Sequence, residues 1–467
     1  MSVTDEELRL EVIAASARLF LRAEEPSKAL LASQAAIALA DSIEPLSAFG
    51  RAAHLDSLVT YATEALNLAP TPETREAMLG TLDSVRDKCL RSGADLPGSG
   101  EIAGRAINNA LIQRLKPLYT GVDFHSPETQ VQAWIWVEQA RSAIAEAGLP
   151  GADLQPVNRQ AVDLARQLGA WERAWVSVTE SLRVGYQRNE RVTLLAKAAR
   201  LAWERANLAD AITFGQEART ASIAVGLPWV RLYAYQAGVI ATAAGSGNIY
   251  AALTSYENCV DKRGHASRPD RAWETAQIAL DAGADIDRLS DFLRKVSFHE
   301  HASRHRSAFA SVILADHSDS TAPRQDWDGI EFALLSAPDR ARFHLAAARA
   351  AIRNDRYSAA AIELRKGREY LRLWPGRIAD SFTPLATRFL DAPPTTPAQQ
   401  QVLDLLVEGL SNNAIAHQLK ISPRTVAVHV QALLRNAGAN SRTNLALSEL
   451  RRRLTEESPQ PFISWRS

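Results

Sequence analysis

Between Thr396 and Asn444 the helix start and stop signals lie so close together that only short helices joined by tight turns fit. Thr396, Pro397 and Gln399 form a helix start with a capping box. Val402, Leu403, Leu406 and Val407 recur at helical spacing as one apolar stripe. Gly409 supplies a left-handed stop. Ser411 caps a second helix whose buried face is Ile415, Ala416 and Leu419. Lys420, Ile421 and Ser422 make a turn, and Ser422 and Pro423 start a third helix. Val426, Val430, Leu433 and Leu434 face inward on it. Gly438 ends it, and Ser441 caps a fourth helix running through Leu450. The second and third helices have the order and turn length of a helix-turn-helix.

The outer face of the third helix carries Arg424, Val428, Gln431 and Arg435, spaced three and four apart and so on one line. A helix of this size fits the major groove of DNA. Arg424 and Arg435 stand near its ends, placed for phosphates, and the helix start at Ser422 is itself a phosphate site. Val428 suits a thymine methyl and Gln431 an adenine edge. Thr425, Ala427 and Arg442 complete the expected DNA-contacting set. The segment after Thr395 has eight Lys and Arg against five Asp and Glu, although the whole chain has zero net charge.

The segments "LVEGLSNNAIAHQL", "ISPRTVAVHV" and "NSRTNLA" resemble the LuxR/FixJ-type domain of bacterial transcription regulators. The resemblance covers roughly one seventh of the chain. It implies a four-helix module whose third helix enters the major groove and whose fourth mediates dimer contacts. The chain departs from the family pattern at Gln399 or Gln400, where a Glu is usual, and at Asn413 and Ala414, where a Lys-Glu pair is usual. It also has Ala427 where Lys is frequent and Gln431 where a basic residue is frequent. Fewer groove-facing cations mean weaker, less salt-dependent binding. Two functions are therefore expected in competition. One is a DNA-binding transcription regulator whose helical array senses a protein, peptide or small ligand. The other is an interaction scaffold or anti-regulator with a degenerate module that does not bind DNA.

The 467 residues suggest two to four domains at ~150 residues each. Ahead of the linker the chain reads as helix after helix, rich in Ala and Leu, with no strand-turn-strand alternation. Weak repeats begin at Gly169, Ala206, Gly247 and Asn354, with a fainter one at Glu24. Each has a polar turn, a large apolar residue, a small residue (Ala174, Ala211, Ala251, Ala359) and an amphipathic helix. The interval, roughly 36 to 40 residues between the clearest neighbours, resembles tetratricopeptide-like helix pairs. The expected fold class is all-α: a helical-hairpin, tetratricopeptide-like solenoid followed by a four-helix LuxR-type helix-turn-helix domain. Expected boundaries are an array over 1–390 with a division near 92–101, a Pro-rich linker over 391–397, the DNA-binding domain over 398–454, and a flexible tail over 455–467 in which Phe462 and Trp465 stand out.

No GxxxxGK[ST] phosphate loop is present, and no catalytic constellation has supporting spacing, so an enzyme is not expected. His299, His301 and His305 cluster among arginines that would repel a cation, so a solvated basic patch is expected there, and neither metal nor cofactor. Trp134, Trp136, Trp171, Trp175, Trp203, Trp229 and Trp273 read as packing between helices. Cys89 and Cys259, with an acidic N-terminus and no long apolar run, point to reduced thiols in a cytoplasmic protein without a membrane span. Expected partners are double-stranded DNA, a second copy bound through the C-terminal module, and an unknown ligand of the array.

Overall fold

The computed structural model describes residues 3–22, 25–68, 71–120, 127–151, 154–184, 188–225, 227–260, 269–296, 304–318, 324–354, 356–390, 396–437, 439, 441–447 and 449. All regular structure among them is helical, and none of the described helices is long and apolar enough to cross a membrane. Backbone contacts divide the chain into two units. The first is Met1–Arg306 with Glu331–Ser336, and the second is Ser307–Ile330 with Ala337–Ser467. The division falls inside the span 1–390 that the sequence presents as one array. The stretch 297–303, just ahead of the boundary at Arg306, lies outside the described residues.

The first unit begins with α1 (Asp5–Arg22), α2 (Pro26–Asp41), α3 (Ala48–Asn67), α4 (Pro72–Ser92), α5 (Ser99–Thr120), α6 (Pro127–Glu146) and α7 (Leu154–Leu168). It continues with α8 (Trp171–Arg183), α9 (Arg188–Glu204), α10 (Leu208–Ala221), α11 (Pro228–Ala244), α12 (Ile249–Cys259), α13 (Pro269–Asp281) and α14 (Ile286–Val296). Consecutive helices from α1 to α12, and α13 with α14, pack against each other. Odd-numbered helices also meet their next odd neighbour from α1 through α13. Among the described even helices only α12 and α14 come comparably close. The odd helices thus form one continuous layer and the even helices a looser one over it. A single hairpin cannot bury its own apolar stripe, so stacking is what covers it.

The repeat has a backbone signature. Gly169, Ala206, Ser246 and Gly283 adopt left-handed conformations with φ of 72°, 67°, 54° and 84°. Each is followed by an amide that reaches back five residues: Ala170 to the Ala165 carbonyl at 2.8 Å, Asn207 to Ala202 at 2.9 Å, Gly247 to Thr242 at 2.8 Å, and Ala284 to Ala279 at 2.9 Å. This closure satisfies orphan carbonyls and turns the chain. The second helix then opens on a large residue (Trp171, Leu208, Ile249, Ile286) at steps of roughly 40 residues. After Trp171, Leu208 and Ile249 a small residue comes three positions later; after Ile286 that place is taken by Leu289. Ala174 and Ala211 are fully buried, as expected. In the repeats from Gly247 and Asn354 the expected register is one residue early: Ala251 is exposed and Ala359 half-buried, whereas Ala252 is half-buried and Ala360 fully buried.

The stretch from Ser92 is no separator in packing terms. Leu96 is 3% exposed and joins one core with Leu82, Val85 and Cys89 before it and Ile102, Ala103 and Ala106 after it. Charge pairs cross the odd layer. Asp56 accepts from Arg18 and Arg105, tying α1, α3 and α5. Arg159 meets Glu190 at 2.9 Å, Arg166 meets Glu204 at 3.5 Å and Glu274 at 3.8 Å, and Arg200 meets Glu204 and Glu274. Burial raises the Cys89 thiol to about 11, and Cys259 is raised for the same reason; both are free. Trp171 packs between helices as expected: it donates to the Leu201 carbonyl of α9 at 3.1 Å and stacks on Trp175 of its own helix at 5.3 Å.

The second unit holds α15 (Arg304–His317) from Ser307 onward, α16 (Arg324–Asp328), α17 (Ala337–Arg353), α18 (Tyr357–Tyr370) and α19 (Arg377–Phe389), then the C-terminal module. Buried Asp316 of α15 accepts from Arg349 at 2.9 Å and Arg353 at 3.1 Å of α17. His344 meets Glu363 at 2.7 Å and stacks on Tyr370, locking α17 to α18. His299 and His301 lie outside the described residues, as does the side chain of His305. Among the described residues no group of three or more His, Cys, Asp or Glu could hold a metal.

Two substitutions check this packing by urea or thermal denaturation. Gly215→Ala would normally favour a helix by about 1 kcal/mol. Here the added methyl would sit 2.5 Å from the Ala237 carbonyl oxygen and 2.8 Å from the Ala241 Cβ of α11. A loss of about 1–3 kcal/mol is expected instead. Ala206→Gly, at a left-handed turn position, is expected to stabilise by about 0.5–1 kcal/mol.

Candidate nucleic-acid interface

The module opens with α20 (Pro397–Val407), so Thr396 and Pro397 belong to a helix start rather than to the linker. Residues 391–395 of that linker lie outside the described residues, as do Gly438, Leu450 and the tail with Phe462 and Trp465. The capping box is complete. The Thr396 hydroxyl accepts from the Gln399 amide at 3.3 Å, and the Gln399 side chain accepts from the Thr396 amide at 3.0 Å.

Gly409 turns left-handed at φ 86°, and the Leu410 amide closes back on Leu405. Helix α21 (Asn412–Leu419) is capped by Ser411, whose hydroxyl accepts from the Ala414 amide. It ends on Lys420 at φ 56°, with the Ile421 amide on the Ala416 carbonyl at 3.0 Å. This is the closure seen within the array hairpins, here made by an exposed cation. Helix α22 (Pro423–Ala437) follows. A fourth helical stretch over 442–447 starts at Ser441, whose hydroxyl accepts from the Asn444 amide.

Four segments share one core. Val402, Leu403, Leu405 and Leu406 meet Ile415, Ala416, Val426, Val430, Leu433 and Leu445. Leu405, 8% exposed, lies off the expected stripe yet is buried, because neighbours cover α20 on more than one side. Leu419 and Leu434 are only partly buried at the edge.

Fixing the inner face of α22 fixes its outer face. Arg424, Val428, Gln431 and Arg435 are all exposed, Val428 by 58%. At 3.6 residues per turn they fall within an arc of about 60°, and the two arginines stand about 16 Å apart along the axis. Thr425 is exposed on one flank of this stripe, and Ala427 is half-buried on the other. Among the described residues neither Arg424 nor Arg435 forms an ion pair. The first turn of α22 is largely committed: Pro423 has no N–H, the Thr425 amide donates to the Ser422 hydroxyl at 3.0 Å, and the Val426 amide to the Ser422 carbonyl. That leaves the Arg424 amide as the donor of this turn. The Ser422 and Thr425 hydroxyls also bond each other at 2.8 Å.

Arg442 stands apart from this stripe. Half-buried, it donates to the Asn412 side chain at 2.7 Å and ties the fourth helical stretch to the start of α21. Lys420 is an exposed cation beside the turn into α22 that the outward-face spacing overlooked, because it lies between helices.

Comparison with known proteins agrees with this geometry. Residues 394–448 match the model of the family described as bacterial regulatory proteins, luxR family. A stretch of 61 residues is 49% identical to response regulator Rre1 of Synechocystis sp.. It amounts to 13% of this chain, and the chain spans only 26% of that curated relative's length. The C-terminal module is therefore a LuxR-type helix-turn-helix domain, carried on a long helical array.

Proposed function

We propose that the protein is a DNA-binding transcription regulator. Its helical array senses a protein, peptide or small ligand, and α22 reads the major groove. The observation that carries this is the exposed line Arg424, Val428, Gln431 and Arg435 on a helix whose other face is the core of the module. Arg424 and Arg435, one near each end, reach phosphates and fix the register. Between them Val428 covers a thymine methyl and Gln431 pairs with an adenine edge. The Arg424 amide adds a donor at the positive end of the helix dipole. Arg442 contributes to phosphate contact only by turning from Asn412, so its first role is to hold the module together. Two copies paired through their C-terminal modules would present two α22 helices to half-sites one DNA turn apart.

A second reading is favoured by one observation. With Ala427 and Gln431 where cations are frequent in the family, the outer face of α22 carries only Arg424 and Arg435. A module so lightly charged would serve a scaffold or anti-regulator. Salt dependence separates the two readings. On random duplex DNA a regulator shows a clear fall in affinity with salt, whereas a scaffold is not retained at low salt.

Arg435→Ala is expected to weaken binding to all sequences alike and to reduce the salt slope by about 1. Gln431→Ala is expected to leave that slope unchanged and to relax preference at one base pair, by about 1–3 kcal/mol. Gel shifts over a salt series and a set of single-base-pair variants read both. If neither variant changes binding, the placement of α22 in the groove is wrong.

A further inference from the structure

The chain segment Glu331–Ser336 belongs to the first unit, although the residues on either side of it belong to the second. It makes one 3₁₀ turn, Phe332–Leu334, which lies against α5 of the odd layer. Its end is held by α7. Leu335 is fully buried, and its carbonyl accepts from the Gln167 side chain at 3.1 Å. The next residue, Ser336, is 3% exposed, and its hydroxyl accepts from Arg166 at 2.9 Å. Arg166 also faces Glu204 and Glu274, so the segment ends on the charge pairs that cross α7, α9 and α13.

A short segment is thus read in three ways at once. An apolar side chain is buried, the carbonyl after it takes an amide donor, and the following hydroxyl takes a guanidinium. Backbone-directed donors beside a buried apolar side chain are how proteins recognise peptides, the donors giving affinity and the pocket specificity. We propose that this face of α5 and α7 is a docking site for short protein segments, held in cis by Glu331–Ser336. Its external partner is a peptide of the same chemistry, an apolar residue followed by Ser, that displaces the strap. The inference rests on the reading of the array as a sensor and names what it senses. Tethering keeps the strap at an effective concentration in the millimolar range, so an untethered peptide competes only when strongly bound or abundant.

The test uses the full chain and a fluorescein-labelled, end-capped peptide with the sequence of residues 330–337. Leu335→Asp places a charge in a site that excludes water and ejects the strap. Anisotropy is expected to show the peptide binding this variant at least tenfold more tightly than wild type. Adding Gln167→Ala should weaken that binding about fivefold, and a peptide with Asp in place of its second Leu should not bind. Should Leu335→Asp fail to fold by circular dichroism, wild type is instead followed by hydrogen exchange with millimolar unlabelled peptide. The amides of 331–336 are then expected to lose protection while those of α7 keep it. No saturable binding to a folded Leu335→Asp protein, or unchanged protection of 331–336 in wild type, overturns the proposal. Neither measurement involves DNA, so this failure leaves the regulator reading standing, and loss of the DNA-binding reading leaves the docking site.

Discussion

A helical hairpin has more apolar surface than its two helices can hide from each other, and the first unit follows from that shortage. Each hairpin is completed by its neighbour, so the odd helices meet in an unbroken layer from α1 to α13. The turn that closes each hairpin must reverse the chain within a few residues. Left-handed positions at Gly169, Ala206, Ser246 and Gly283 do this in four successive repeats. Two of them are not glycine, so local strain is accepted to keep the spacing that stacking needs. The same closure, at Gly409 and Lys420, sets the angles within the C-terminal module.

Once the turns are fixed, charged residues on the odd layer face other charged residues. Arg166, Arg200, Glu204 and Glu274 are drawn from three helices. Buried ion pairs of this kind add little net stability against desolvation, but they penalise any stacking register that leaves one member unpaired. Gly215 acts in the same direction by sterics, since α10 approaches α11 too closely for a methyl. Register in the array is thus held by a few polar and small residues rather than by its many alanines and leucines.

The sequence displayed local features well. Thr396, Ser411, Ser422 and Ser441 all cap helices, and the outward face of α22 is the one its spacing implied. These are properties of a few neighbouring residues. What depends on other helices was less legible. Leu405 is buried because a second neighbour covers it, and the alanines that turn inward at 252 and 360 are one residue from the expected ones; before Ala252 the turn is one residue longer than before Ala174 and Ala211. Lys420 adopts a conformation usually left to glycine, which composition does not announce. Arg442 looked like a free cation because its partner, Asn412, lies thirty residues away. The division of the helical span into two units depends on contacts that no local pattern encodes.

Val428 stands in water at the middle of the outer face of α22, with an arginine toward each end of the helix. Its methyl groups order solvent that any close-fitting surface must expel, and expulsion of that kind lowers heat capacity. The flanking cations act instead by releasing counterions, which carries no such signature. Calorimetry over a range of temperatures would therefore distinguish a partner that seats itself on this helix from one merely attracted to its charge.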